Sequence, residues 1–342
     1  MKVLVTGGAG FIGSNFIRYL LSARSDCEII NFDKLTYAGN LENLAEVQNS
    51  SRYRFVRGDV TLRADLEPVF KDKIWGLVHM AAESHVDRSL YSPLTFVETN
   101  VFGTGNLLDL ALRHNVARFV HISTDEVYGS TLSGKFTEAS PLNPTSPYSA
   151  SKASSDLLAL AYFKSFGLPV VVDRCTNNFG PYQFPEKLIP LFVTNAMEDK
   201  PLPVYGDGLY VRDWLFVDDH CRAIERLLFE GKPGEIYNVG GSNEWTNLEI
   251  TRRILSRLKK PESLITPVAD RPGHDRRYAL DASKLERELG WKPGHTLEKA
   301  LDSTIDWYAA NRSWWQKVKS GEYRQYYQKN YGARIGSAKD IV

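Results

Sequence analysis

Cysteine is scarce in this chain and poorly placed for its structural roles. The three residues, Cys27, Cys175 and Cys221, are odd in number and far apart, with no CxxC pair and no histidine at ligand spacing. That excludes a disulfide framework and offers no structural zinc or other metal site. Long apolar runs are also missing, since none approaches the ~18 residues a membrane-spanning helix needs. Neither sign of charge is in excess: the formal net charge is +1, with acidic and basic residues interspersed. Nothing therefore favours a nucleic acid polymer or an anionic membrane as partner. Internal repeats, low-complexity segments and charge runs are absent. The first residues, Met1-Lys2-Val3-Leu4-Val5-Thr6, enter a strand pattern at once, without the n-region, h-region and cleavage site of a secretory signal. Together with 43% apolar and 24% charged residues, these absences predict a soluble globular protein of the cytoplasm. A length of 342 residues allows one large or two coupled domains.

What is present begins with glycine. The run Lys2 to Thr6 leads directly into Gly7-Gly8-Ala9-Gly10-Phe11-Ile12-Gly13, followed by Phe16, Ile17, Leu20 and Leu21 at helical spacing. Strand, glycine turn and helix in succession let the backbone approach a pyrophosphate at a helix N-terminus, where free N–H groups favour anions. A second apolar run, Cys27 to Phe32, ends in Asp33, twenty residues beyond Gly13. A carboxylate there accepts from a cofactor ribose and disfavours a 2′-phosphate, so NAD is expected over NADP. The alternation continues with strands at Arg54–Val56, Trp75–Met80, Arg118–Ile122 and Leu168–Asp173, and a long helix over Pro93–Asn115 whose Val97, Val101, Leu107, Leu108, Leu110 and Ala111 read as mostly core. Strands alternating with helices predict a doubly wound parallel sheet of Rossmann type. Ligands of such sheets bind beyond the carboxyl ends of the strands. Gly7–Gly13, Asp33, Asp59 (placed for an adenine amino group), Ala81–Ser84 (small residues suited to a nicotinamide ribose) and Thr124–Glu126 all follow strand ends.

The reactive groups cluster in the middle of the chain. Thr124-Asp125-Glu126 ends a strand, and Tyr148-Ser149-Ala150-Ser151-Lys152 follows. On a helix, positions i and i+4 share a face, making the phenol and the ammonium neighbours. Lowering a tyrosine from pKa 10 to a working pH of 7 costs roughly 4 kcal/mol, within reach of Lys152 and a bound nicotinamide cation. Thr124 can hydrogen-bond a substrate oxygen beside them. That set removes a proton from an alcohol while hydride leaves to NAD. Two further carboxyl groups exceed the needs of alcohol oxidation. One protonated and one ionised acid are what elimination of water next to a ketone requires.

The glycine turn, Asp33 and Tyr148-x-x-x-Lys152 resemble the extended short-chain dehydrogenase/reductase family. Thr124-Asp125-Glu126-Val127-Tyr128-Gly129, Asp33-Lys34-Leu35-Thr36-Tyr37-Ala38-Gly39-Asn40, Ala81–Ser89 and Arg271-Pro272-Gly273-His274-Asp275 narrow the resemblance to the nucleotide-sugar 4,6-dehydratases, over residue 1 to about Trp315. Epimerases of the family usually carry small residues at the two positions after the hydroxyl, and UDP-glucuronate decarboxylases a serine in place of Asp125. Asp125 thus separates the readings. The resemblance implies dTDP-glucose as substrate, with UDP-glucose or another nucleotide-glucose as the alternative. It implies an NAD-dependent hydro-lyase in which Tyr148 deprotonates the 4-hydroxyl, Glu126 removes the C5 proton and Asp125 protonates the departing 6-hydroxyl. On the cofactor side it implies Gly7, Gly10, Phe11, Ile12, Gly13, Asp33, Lys34, Thr36, Asp59, Val60, Ala81, Ala82, Ser84, Thr99, Tyr148, Lys152 and Asn178. On the substrate side it implies Ser84, Thr124, Asn177, Lys187, Leu188, Pro203, Tyr205, Arg212, Asn247, Asp270 and His274. Tyr205 is suited to flank a base ring and Arg212 to clamp a pyrophosphate. A homodimer built on helices near 101–115 and 148–166 is implied as well.

Residues 1–180 then form an NAD-binding domain with a return segment over 211–243, and 181–210 with 244–330 a smaller mixed α/β nucleotide-sugar-binding domain, leaving 331–342 as a tail. Glu235–Val239 reads as the returning strand and Leu188–Met197 as a helix. Thr246-x-x-Glu249 and Ser283-x-x-Glu286 read as capping boxes. Trp307, Trp314, Trp315, Tyr323, Tyr326 and Tyr327 read as a packing platform for the C-terminal helix.

Overall fold

The computed structural model of the chain describes residues 1–319 and 322–332. Its strands are β1 (Lys2–Thr6), β2 (Glu28–Asp33), β3 (Tyr53–Arg57), β4 (Gly76–His79), β5 (Arg118–Thr124), β6 (Val170–Cys175), β7 (Asn177–Phe179), β8 (Leu202–Tyr205), β9 (Val211–Phe216), β10 (Ile236–Val239), β11 (Glu244–Thr246) and β12 (Ile265–Val268). Seven of them form one sheet in the order β10-β6-β5-β4-β1-β2-β3, with every neighbouring pair parallel. Helices cover both faces, so β4 and β6 are buried along their whole length, as a continuous rather than alternating apolar pattern requires. The doubly wound parallel sheet expected from the sequence is what forms, and Ile236–Val239 returns to its edge beside β6. The strand order reverses between β1 and β4, opening a crevice at their carboxyl ends.

Helix Phe11–Ala23 buries Phe16, Ile17, Leu20 and Leu21, and it starts at Gly10 with no side-chain cap. Its first N–H groups are therefore left for whatever occupies the crevice. Helix Pro147–Phe166 is locally well specified. Ser146 and Ser149 form a reciprocal capping box, Pro147 stands at the first turn, and Gly167 closes the helix at φ +73°. Its inward face carries Tyr148, Lys152, Ser155, Asp156 and Ala159.

The long helix expected over 93–115 is three consecutive pieces: Pro93–Phe96, a π-helical stretch Val97–Phe102, and Gly103–Arg113. The wider turn shifts the register. Phe96 and Asn100 point inward, whereas Val97 is 49% exposed and Val101 half-buried rather than core. Asn100 earns this position by bonding the backbone of Glu83 in both directions and Ser151 Oγ, each at 2.9 Å.

The remaining segments form a second layer. β11, β9 and β7 make a three-stranded sheet, β12 and β8 pair in parallel, and helices Leu188–Met197, Asn247–Leu258 and Leu297–Ala310 pack together. The Thr246/Glu249 capping box is present. The one expected at Ser283 is not: helix Ser283–Leu289 is entered from Ala282 without a side-chain cap, and the Asp281 carboxylate takes the Ser283 N–H instead. The C-terminal aromatics pack as expected, with Trp315 and Tyr308 fully buried and Trp314 Nε1 donating to Asn43 Oδ1 at 2.9 Å. Tyr331, assigned to the tail, is buried in a π-helical turn over Gln328–Gly332 and packs on Tyr327 and Tyr205. The tail expectation beyond 332 lies outside the described residues. Among the described residues, no helix is long and apolar enough to cross a membrane.

Candidate active site

The carboxyl ends of β1, β2, β4, β5 and β6 open into one cavity of about 350 Å³. Two glycines form its floor for steric reasons. Gly7 adopts φ +71° and a Cβ there would lie 2.6 Å from Ala81 N, while a Cβ on Gly13 would lie 2.3 Å from Gly7 O. A backbone stripped of side chains at a helix N-terminus is a cradle of diphosphate size, which fits a dinucleotide. Asp33 sits at the end of β2, its carboxylate held by Ala9 N–H at 2.9 Å and Leu35 N–H at 2.8 Å. Burial raises its pKa, and those backbone bonds oppose the rise. Asp59, across from it, is paired with Lys34 at 2.6 Å. All seventeen residues expected at the cofactor line this cavity, from Gly7 to Asn178, as do Thr124, Asp125, Glu126, Tyr148 and Lys152.

The two adjacent acids stand in different surroundings. Asp125 is 2% exposed, and burial, then the neighbouring charges of Glu126 and Asp213, hold its carboxyl well above the usual carboxylate range. Its Oδ1 accepts from Thr124 Oγ1 at 3.2 Å, while Oδ2 is buried without a partner among the described residues. Glu126 is mostly buried, with a small part of its surface open to the cavity. Burial raises its pKa too, but Arg271, Lys187 and Arg212 pull it back down. One acid is thus kept protonated and the other is offered cations, the separation that acid–base division of labour needs.

The tyrosine departs from the simplest expectation. Burial, then Glu126, push the Tyr148 phenol well above 10, with the nearby Thr124 hydroxyl opposing. Burial lowers the Lys152 ammonium, whose Nζ donates to the Ile122 carbonyl at 2.6 Å. Lys152 therefore does not make the phenolate by itself.

The substrate-side residues divide. Ser84, Thr124, Asn177 and Lys187 line the cavity, and Lys187 Nζ bonds the Ser84 carbonyl at 2.7 Å. Leu188, Pro203, Tyr205, Arg212, Asn247, Asp270 and His274 do not line it. Tyr205, expected to flank a base, donates to Asp87 at 2.9 Å and packs against His274 and Tyr331. His274 stacks on Tyr210 at 3.7 Å and bonds Asp270 at 2.7 Å. Asn247 adjoins this cluster through its N–H to the Tyr210 carbonyl. Arg212 is buried, bonding the Asp275 carbonyl at 2.9 Å.

Several groups at the site carry no signal in the sequence. Arg271, in sequence no more than part of a motif, pairs with Asp87 at 2.7 Å and bears on Glu126. Cys175 and Glu186 line the cavity, and no spacing marks them. Asp173, Cys175 and His220 bring potential ligand atoms within 4.8 Å of one another, a trio invisible in sequence because 173 and 220 lie on different elements.

Known proteins match this arrangement along nearly its full length. The family described as GDP-mannose 4,6 dehydratase matches residues 4–304. The dTDP-glucose 4,6-dehydratase of Neisseria meningitidis is 52% identical, over 94% of this chain and 97% of its own. The dTDP-glucose 4,6-dehydratase DesIV of Streptomyces venezuelae, solved with NAD bound, superposes with a TM-score of 0.91 at 52% identity, covering 93% of this chain and all of its own (100%). The UDP-glucose 4-epimerase of Thermotoga maritima shares the fold (TM-score 0.85) at only 28% identity, over 91% of this chain and 100% of its own. The scaffold thus serves more than one chemistry, and sequence separates them. With Asp125 beside Glu126 and relatives of this identity over this length, the chain belongs to the nucleotide-sugar 4,6-dehydratases of the extended short-chain dehydrogenase/reductase family, among the dTDP-glucose 4,6-dehydratases.

Proposed function

We propose that the chain converts dTDP-glucose into dTDP-4-keto-6-deoxyglucose, with Thr124, Asp125, Glu126, Tyr148 and Lys152 carrying the chemistry. The observation that carries this reading is the unequal pair: a fully buried acid held protonated beside one that faces three cations, in the same cavity as Tyr148. Gly7, Gly13, Asp33 and the uncapped helix at Phe11 are the groups that would hold NAD. Bound NAD supplies reversible hydride transfer and, when oxidised, the positive ring that offsets the cost of ionising Tyr148. Tyr148 Oη takes the proton of the sugar 4-hydroxyl, whose oxygen Thr124 Oγ1 orients. Glu126 takes the C5 proton, made acidic by the C4 ketone, as Asp125 gives its proton to the departing 6-hydroxyl. Glu126 then returns a proton to C5. Arg212 and Arg271 support the anionic half of the substrate from behind the acids.

The test is turnover by purified protein, with no added reductant, of dTDP-glucose and UDP-glucose in parallel, read by the alkali-induced absorbance of the keto product. dTDP-glucose is expected to turn over. Turnover of UDP-glucose alone would keep the chemistry and replace the substrate, and no keto product from either would sink the dehydratase reading.

The same reading includes a homodimer and the domain division given above. Support comes from an apolar face that includes Leu94 at 79% exposed and Phe102 at 59%, with Leu157 and Phe166 exposed on the Pro147–Phe166 helix. Exposed apolar side chains on helices that pack against one another suit an interface. Leu94→Asp with Phe102→Asp is expected to give monomers by light scattering, and a monomeric unmodified protein at micromolar concentration contradicts the dimer. Three free buried cysteines suit the reducing cytoplasm, which cell fractionation would check.

A further inference from the structure

Behind the cavity wall, three side chains from separate elements meet. His220, from helix Val217–Glu230, places Nδ1 2.8 Å from Asn178 Oδ1 on β7 and Nε2 2.9 Å from Asp173 Oδ2 on β6. His220 and Asp173 are fully buried, whereas Asn178 lines the cavity. The amide orientation is fixed from the other side, because Asn178 Nδ2 donates to the Thr176 carbonyl at 3.0 Å. An amide oxygen only accepts, so His220 Nδ1 carries the hydrogen of its bond to Asn178. Nε2 faces a carboxylate oxygen, so a second hydrogen lies on that axis, on one atom or the other. In either arrangement the ring donates to Asn178 and cannot turn away. Both ring nitrogens are thus committed to Asn178 and Asp173, and the Cys175 thiol bonds the Ser123 carbonyl, so these groups form a hydrogen-bonded relay from Asp173 through His220 to Asn178 rather than a metal centre. Asn178 Nδ2 keeps a second hydrogen beyond the one given to Thr176.

We infer that His220, oriented by Asp173, is a positioning residue for cofactor retention: it clamps the Asn178 amide so that its remaining N–H is presented to the nicotinamide end of NAD. This rests on the reading in which Asn178 meets the cofactor. An amide fixed at both ends before binding loses little freedom on binding, whereas a freed one must be ordered at the expense of affinity. Removing the donor also leaves Asn178 Oδ1 without its buried partner.

The test measures NAD retained per subunit after dialysis, by extraction and chromatography, and the NAD dissociation constant of the stripped protein. His220→Phe, which keeps a ring but donates nothing, is expected to raise that constant about tenfold, the size expected from losing one buried hydrogen-bond partner. His220→Asn, too short to span Asp173 and Asn178, should behave alike and carries the test if the phenylalanine variant does not fold. His220→Gln, with a longer amide donor, should stay within about threefold. At saturating NAD the KM for dTDP-glucose should be unchanged in all of them. Unchanged NAD affinity in a folded His220→Phe or His220→Asn overturns the inference. Asn178→Ala separates it from its premise: if that change leaves NAD affinity intact, the placement of Asn178 at the cofactor is wrong. If it weakens NAD while the His220 variants do not, only the clamp is wrong.

Discussion

Asp125→Asn stops the elimination and leaves the first oxidation running. Dehydration of dTDP-glucose is expected to fall by about 10²–10⁴, the usual contribution of a positioned acid, while reduced nicotinamide accumulates in near-ultraviolet absorbance once substrate is added. Asparagine keeps the shape and the bond that Thr124 makes to Oδ1, but it has no proton to give. Asp125 can give one because burial, Glu126 and Asp213 hold it protonated against the pull of Arg212. The sign fixes the pH dependence. Activity needs Asp125 protonated and is lost as pH rises through its raised pKa. It needs Glu126 ionised and is lost as pH falls through a pKa that is also above the ordinary glutamate value. The alkaline limb should therefore disappear in Asp125→Asn. A stability measurement separates lost chemistry from lost fold. A carboxyl whose pKa is higher folded than unfolded contributes stability fully present below the unfolded pKa and lost as pH rises through the folded one. The neutral amide suffers no such loss, so at neutral pH this variant should melt higher than the parent. Wild-type dehydration by Asp125→Asn contradicts the assignment.

Tyr148→Phe should abolish the oxidation itself. Phenylalanine retains the edge-to-face contact with Phe96, whose ring centroid is 6.2 Å away, and the Ser146 cap is untouched, so the fold should persist. The proton acceptor for the 4-hydroxyl is gone, and neither keto product nor reduced nicotinamide should form above about 10⁻² of the parent rate. Because burial and Glu126 raise the phenol's pKa, the tyrosine depends on positive charge nearby. Lys152→Met should therefore move the acid limb of the oxidation step to higher pH. Reduced nicotinamide formed by Tyr148→Phe at the parent rate would show that another group takes the proton.

Most of this site could be read from sequence because it is built from local runs. Gly7–Gly13 announces a strand-turn-helix by itself, Asp33 stands at a fixed distance beyond it, and Tyr148 and Lys152 need only helical spacing to become neighbours. What was not legible depends on contacts between distant elements. A π-helical register at Val97–Phe102 turns Val97 outward because Asn100 satisfies Glu83 and Ser151, and no residue of the helix itself signals that. Asp281, two residues before Ser283, takes the N–H at the helix entry in its place. Tyr205 is legible as an aromatic suited to a base ring, but its neighbours Asp87, His274 and Tyr331 come from distant segments and are not. The Asp173–His220–Asn178 relay joins β6, β7 and a helix of the following segment, so periodicity could not disclose it.

The most direct test of the central claim follows a single hydrogen. dTDP-glucose carrying deuterium at C4 is mixed with an equal amount of differently labelled but undeuterated substrate and converted by the purified protein without added reductant. If oxidation, elimination and return occur in one cavity with Tyr148, Glu126 and Asp125 in the roles given, deuterium is found at C6 of the same molecules that brought it, and C5 carries hydrogen from solvent. Deuterium lost to water, or appearing in the other substrate population, would contradict it.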